Sequence, residues 1–498
     1  MELKKSKLTQ YSVVAQQTTL HEESMDVIVP DTYPDIEMIR CTFGEIDIRE
    51  KVVQNDRVMV SGNVRAMMSY EAEGQVYLLN GLIPFAALCD AHGCKQQDIA
   101  FAIAQMVQAE SKILNPRKYT VSVQFTIETQ IYTKTECEIC EGITGSGCEE
   151  MQTLTERQTF LPVICVQEKT MTIQEENRVN AACTAEDQLL FSSAVYQTED
   201  VRVLSNKVML RGNVKTETFL SNKTGRIFKE TATLPFSQIV EVEAAESGDA
   251  AAIFYAPRKA ENMLTAGAEN ELILKTELTC DVCVKVTRTV EKEVLLDAFH
   301  RRFPCSIKYN PFTVNTSSYM APITSEIHMK LETEETVGTV VNLSVAKKEI
   351  KVADQMISAV FGVSAVYLTA ENAMRQCIGN IELAAAAEGW SNGGAEAELS
   401  GVNALPTEGG LMIDGSAVFR RVCVQAKKMQ VTACEIDSTK EKQRRCNASL
   451  ILRSAGKNET VWAIAKDFST SPEAILAANH LDQETTLKQG QLIMIPMA

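Results

Sequence analysis

Apolar and polar residues alternate along most of this chain, and the alternation is interrupted at recurring glycines. Residues 58–64 read VMVSGNV and residues 208–214 read VMLRGNV, so Val58, Val60, Gly62 and Val64 share one face of a strand, as do Val208, Leu210, Gly212 and Val214. A glycine inside such a strand marks a bulge or the close approach of a neighbouring backbone. A second landmark keeps register with the first: Ile83-Pro84-Phe85 follows Gly62, and Leu234-Pro235-Phe236 follows Gly212 at nearly the same distance. Between the landmarks, EAEGQ (71–75) and SNKTG (221–225) supply the small polar residues of a hairpin turn. Each copy therefore reads as strand, turn, strand.

Further on, YTVSVQFTIETQI places Tyr119, Val121, Val123, Phe125 and Ile127 on one face and Thr120, Ser122, Gln124 and Thr126 on the other, the pattern of a half-buried antiparallel strand. The second copy answers with Leu272, Leu274, Leu278, Cys280, Val282, Val284 and Val286. The 150-residue spacing predicts a third glycine at 362, and SAVFGVSAVYL supplies Gly362, although no Leu-Pro-Phe follows it. A period of this length is that of a domain, so the pattern indicates domain duplication rather than a solenoid. Residues 98–114, DIAFAIAQMVQAESKIL, are compatible with a helix that turns Ile99, Ile103, Met106 and Ile113 inward, but their periodicity does not decide between helix and strand. The charged run TKEKQRR (439–445) reads as a linker.

The last fifty residues change period. Thr460 is placed to cap a short helix with Val461, Ile464, Ala465 and Phe468 inward, and Trp462 is assigned to the same core. Ser471-Pro472 gives the N-cap and first-turn proline of a second helix with Ile475 and Leu476 inward, ending near Asn479. Flanking strands at 450–453 and 491–495 are needed to support helices this short. The expected fold is multidomain and mainly β: β-rich repeats over 1–150 and 151–300, a diverged third repeat with a basic linker over 301–445, and a small α+β module of β-α-α-β order over 446–498.

Composition adds boundaries. The chain has 498 residues, 45% of them hydrophobic and 23% charged, with a net charge of −16, which suits globular domains and disfavours nucleic acid as a partner. The most apolar stretches are too short to span a membrane as a helix, and the N-terminal residues lack the apolar core of a secretory signal, so a cytoplasmic location is expected. Fifteen cysteines then read as reduced thiols. Cys137-x-x-Cys140 with Cys148 is the best metal candidate, but it lacks a second knuckle, and no metal or other cofactor is expected. Phosphate-binding, nucleophile-elbow and zinc-protease motifs are missing, and the five histidines have no motif partners. No catalytic residue is assigned and the chain is not expected to be an enzyme.

Two stretches carry a family resemblance. Asn458-Glu459-Thr460-Val461-Trp462-Ala463-Ile464-Ala465 and Lys488-Gln489-Gly490-Gln491-Leu492-Ile493-Met494-Ile495-Pro496 resemble the opening G-D-T-L-W-x-I-A and closing P-G-Q-x-L-x-I-P of the LysM domain. That resemblance implies a groove for glycans containing N-acetylglucosamine, with Asn458, Glu459, Thr460 and Val461 on one wall and His480, Leu481 and Asp482 on the other. The family's Gly-Asp is Asn458-Glu459 here, which adds a Cβ at a free turn. VIVPDTYPDIEMI (27–39), with the Gly62 strand, the Pro-Phe landmark and the long alternating strand, resembles the SPOCS domain (formerly DUF3794) of endospore-forming bacteria. Tandem SPOCS domains ending in one LysM are similar to spore-coat morphogenetic proteins. The combination implies a non-enzymatic scaffold in the mother-cell cytoplasm that tethers the coat to the forespore surface, with the coat ATPase SpoIVA as partner. The alternative is a LysM peptidoglycan-binding protein or a phage-tail baseplate component.

Overall fold

The structure, a computed structural model, describes residues 2–145, 150–179, 187–222, 226–266, 272–316, 322–371, 373–388, 390, 395–421, 424–443, 448–482 and 486–497. The SNKTG turn and the end of the TKEKQRR run lie partly outside these residues, and Cys148 lies wholly outside them. The chain is mainly β, about 76% strand and 4% helix.

The first set of strands is β1 (Glu2–Ile28), β2 (Met38–Gln54), β3 (Arg57–Ala72), β4 (Gln75–Asp90), β5 (Ile99–Asn115) and β6 (Lys118–Thr144). They form two antiparallel sheets, β2-β3-β4 and β1-β6-β5. One core joins the sheets: Val58, Val60 and Val64 of β3 and Phe85 of β4 meet Tyr119, Val121, Val123, Phe125 and Ile127 of β6, the faces that alternation assigned to the interior. The second set is β7 (Met151–Phe160), β8 (Val163–Arg178), β9 (Gln188–Leu204), β10 (Lys207–Ser221), β11 (Ile227–Glu241), β12 (Ala250–Ala266), β13 (Leu272–Thr287) and β14 (Val290–His300). The third is β15 (Cys305–Thr316), β16 (Ile323–Glu332), β17 (Val337–Ala353), β18 (Met356–Thr369), β19 (Met374–Ala386), β20 (Ala395–Thr407), β21 (Gly410–Arg421) and β22 (Val424–Ile436).

Both later sets repeat the first, with the long antiparallel pair β1-β6 split into two pieces. The three-stranded sheets are β9-β10-β11 with β12-β13-β8, and β17-β18-β19 with β16-β21-β20. The remaining pieces pair as two-stranded ribbons, β7 with β14 and β15 with β22, matching the N-terminal part of β1 on the C-terminal part of β6. Pro162, which cannot donate to a ladder, stands at the β7–β8 break. The ribbons pack together through Leu8 and Ile139, Phe160 and Val294, and Phe312 and Val314, two side chains from each. Buried Gln430 fastens two of them: it accepts from the Cys140 N–H at 2.8 Å and donates to the Glu138 carbonyl at 2.7 Å.

The recurring glycines lie on the middle strands β3, β10 and β18, and in each case the neighbouring strand bulges beside them. Gly62 faces Ile48 at the slip between Ile48 and Glu50, the β9 ladder slips where Gly212 meets Thr198, and Gly362 faces Ala346 next to the slip between Lys347 and Glu349. On the other side the Pro-Phe landmark closes the gap: Phe85 pairs with Gly62 and Phe236 with Gly212. An aromatic ring lies over the missing side chain in both copies. Gly362 pairs with Asn380 instead.

Residues 98–114 are not helical. They form β5, whose register slips between Met106 and Gln108. The strand is covered on both faces, with Phe101 packed towards Tyr132 and Val163 and with Ala102 and Ala109 in the first core. Double burial and a bulge together erase the period-two signal.

Where the first and second sets meet, Glu45 of β2 lies 3.9 Å from Arg65, which also reaches Glu261 at 4.0 Å. Burial pushes the Glu45 carboxyl up to about 7 despite Arg65, from an ordinary value of 4.5. Because the unfolded carboxyl ionises first, Glu45 costs nothing below about pH 4 and progressively destabilises the fold as pH rises to about 7. Glu45→Gln is expected to raise stability by about 2 kcal/mol at pH 8 and to change little at pH 4. Urea denaturation at the two pH values measures the difference; equal shifts at both would contradict it.

Candidate functional site

The C-terminal module consists of β23 (Leu450–Ser454), α1 (Val461–Phe468), α2 (Pro472–Asn479) and β24 (Leu492–Pro496), with β23 and β24 antiparallel. Both helices start as their sequences predict. The Thr460 hydroxyl accepts from the Ala463 N–H, the Ser471 hydroxyl accepts from the Ala474 N–H, each at 3.1 Å, and Pro472 opens α2. Ile464, Ala465, Ile475, Leu487, Ile493 and Ile495 make the core. Asn479, marked by the sequence only as a helix end, locks α2 to β24: it donates to Ile475 O at 2.8 Å and Met494 O at 2.6 Å and accepts from the Met494 N–H at 2.7 Å.

The candidate groove residues divide by what their side chains already do. Asn458 is exposed with φ 59°, the left-handed region where glycine is favoured and asparagine is among the better-tolerated substitutes. The Glu459 carboxylate takes the Arg453 guanidinium at 2.7 Å and the Gly456 N–H at 2.8 Å, which fixes the loop ahead of α1. Thr460 is spent on its cap. Val461 and Leu481, one from each wall, pack at the edge of the same apolar core. His480 is the exposed left-handed cap of α2, at φ 53°, and Asp482 is exposed beyond it.

Trp462 packs against the module's core, which here takes in Phe299 of β14, and also reaches beyond it. It is only partly buried, and its indole Nε1 reaches the distal end of the β7-β14 ribbon. There it donates from Nε1 to Asp297 Oδ2 at 2.8 Å and meets the Phe299 ring edge-on at 5.1 Å between centroids. One turn later Lys466 Nζ bonds both Asp297 oxygens, at 2.7 and 2.8 Å, and Tyr309 donates to Oδ1 at 2.6 Å. Burial alone raises the Asp297 carboxyl, but the bonds from Lys466, Tyr309 and Trp462 outweigh it and hold the group below its ordinary value. The run expected as a free linker is held too: Lys442 Nζ donates to His300 O at 2.8 Å and to Ser469 Oγ at 3.3 Å. No motif announced Asp297; its only trace was one acid inside the apolar run VLLDAF.

Cys137 and Cys140 lie on β6 in separate apolar clusters, one with Leu8 and Ile139 and the other with Leu295 and Val431. Burial pushes both thiols up. A strand directs positions i and i+3 to opposite faces, so this pair does not make a zinc knuckle. Among the described residues no group of three or more His, Cys, Asp or Glu side chains is arranged to hold a metal.

A family model described as LysM domain matches residues 456–496, and one described as SipL, SPOCS domain matches residues 35–114. No curated protein and no solved structure matches the chain. The chain thus carries the SPOCS and LysM pair that its residues resembled, with the SPOCS match beginning just ahead of β2 and ending within β5. Both are binding or scaffold domains, and together they mark a sporulation-related, peptidoglycan-binding protein. Among the described residues no helix is long and apolar enough to cross a membrane.

Proposed function

We propose that this protein is a non-catalytic scaffold of the endospore envelope, working in the mother cell at the forespore surface, where it tethers the coat through its β-rich body and its LysM module. The body comprises units over 1–150, 151–300 and 301–445, and the module occupies 446–498. The observation that carries this reading is the Asp297 junction: a binding module bonded to the end of a three-ribbon stem is held at a set orientation, as a tether requires. Within the module the ligand lies between Asn458–Val461 and His480–Asp482. Since the Glu459 carboxylate and the Thr460 hydroxyl are committed to the fold, contacts come from Asn458, His480 and the backbone of the two walls. The coat ATPase SpoIVA is the protein partner implied by the resemblance, and a glycan containing N-acetylglucosamine is the sugar ligand.

Co-sedimentation of the full chain with purified sacculi, and its capture by purified SpoIVA, test the two attachments separately. Retention by both is expected. Retention by sacculi alone favours the peptidoglycan-binding alternative, retention by neither overturns the reading, and release of reducing ends from sacculi would establish a hydrolase instead.

A further inference from the structure

A pocket of about 660 Å³ lies where the three sets of strands meet, with Phe101 and Glu128 contributed by the first, Phe254 and Tyr255 by the second, and Phe361 and Glu396 by the third. Its size is that of a small-molecule site. Glu396 is held in place by a relay of donors. The Tyr132 hydroxyl donates to Gln130 Oε1 at 2.9 Å, which turns the Gln130 amide so that Nε2 donates to Glu396 Oε1 at 3.0 Å, and Gln16 Nε2 approaches the same oxygen at 3.4 Å. Among the described residues Oε2 accepts no hydrogen bond.

The other charges on the wall are already paired, Lys347 with Glu128 at 2.6 Å and Arg420 with Glu398 at the rim. Lys285 lies outside the wall, its ammonium over the Phe254 ring, 5.4 Å from the centroid, and among the described residues it makes no ion pair with Glu396. Burial and the neighbouring Glu128 still raise the Glu396 carboxyl above its ordinary range, against the opposing effect of Lys285 and Lys347. A half-buried carboxylate that lines a pocket beside aromatic rings, with one oxygen outside the protein's own hydrogen bonds, is suited to receive a cation.

We propose that this pocket binds an organic primary amine as its ammonium ion, with Glu396 as the counter-ion and the aromatic rings enclosing the hydrocarbon body. The site does not depend on what the LysM module binds. Calorimetric titration of the full chain with benzylamine and with benzyl alcohol, its neutral isostere, provides the test. The amine is expected to bind one site at least about tenfold more tightly than the alcohol, the size of one charged hydrogen bond. Glu396→Gln should bring the amine to the alcohol's level, while Glu398→Gln, at the rim, should leave it unchanged. No binding of the amine, equal affinities for amine and alcohol, or undiminished amine affinity in Glu396→Gln would each overturn the proposal. The comparison on the unmodified chain decides the matter even where Glu396→Gln fails to fold.

Discussion

Asp297→Asn is expected to release the LysM module from the body while leaving both folded. The substitution keeps the shape of the side chain but removes its charge, so Lys466 loses its counter-ion and the Trp462 and Tyr309 donors share a weaker acceptor. Hydrogen bonds to charged groups contribute about 1.5–3 kcal/mol each and are not additive, so the docking loss should be about 3 kcal/mol. Trypsin cleavage after Lys442, whose ammonium is now held by His300 and Ser469, should accelerate, and a separate module transition should emerge in calorimetry. The same release should follow acidification. Because the folded Asp297 carboxyl lies below its unfolded value of 3.8, its contribution is full above that value and disappears as pH falls through the folded one. Unchanged cleavage and a single transition in Asp297→Asn would show that the junction is held by the Phe299–Trp462 packing alone.

That junction also marks the limit of what could be read from the residues. The faces of β3, β6, β10 and β13 were legible because the alternation holds over most of each strand, even though Met67, Phe219 and Cys283 are buried on the opposite face. The caps at Thr460 and Ser471 were legible because capping is local chemistry, confined to three or four residues. Trp462 and Asp297 are 165 residues apart, and no local pattern encodes which acid an indole will meet. Trp462 was read as a core residue and does pack against the module's core, but only the ribbon end shows that its indole also bonds Asp297. Strand β5 failed for a different reason: its both-sided burial removed the polar half of the alternation, so helix and strand became indistinguishable in the letters. For the proposed groove, resemblance nominated the walls, but no letter showed that Glu459 and Thr460 are engaged by the loop and cap they stabilise.

The three glycines spaced 150 residues apart should not respond alike to a methyl group. A Cβ at Gly62 would lie 2.1 Å from the Asp47 carbonyl oxygen, and one at Gly212 would lie 2.1 Å from that of Gln197. Both obstacles are backbone atoms of the bulged neighbour, and the facing rings of Phe85 and Phe236 block retreat on the other side, at 3.0 and 2.8 Å. Relief therefore requires the ladder itself to move, and Gly62→Ala or Gly212→Ala should cost at least about 3 kcal/mol. At Gly362 the nearest atoms are side-chain carbons, Val107 Cγ1 at 2.5 Å and Lys348 Cε at 2.9 Å. Lysine can swing aside, leaving one valine methyl to give, so Gly362→Ala should cost about 1–2 kcal/mol. Urea denaturation of the three variants ranks them directly. The third copy has lost its Pro-Phe partner, and with it the aromatic wall that makes glycine obligatory in the other two. Equal costs at all three positions would mean that the bulge, rather than the carbonyl and ring pressed against the first two glycines, is what has kept the residue in place.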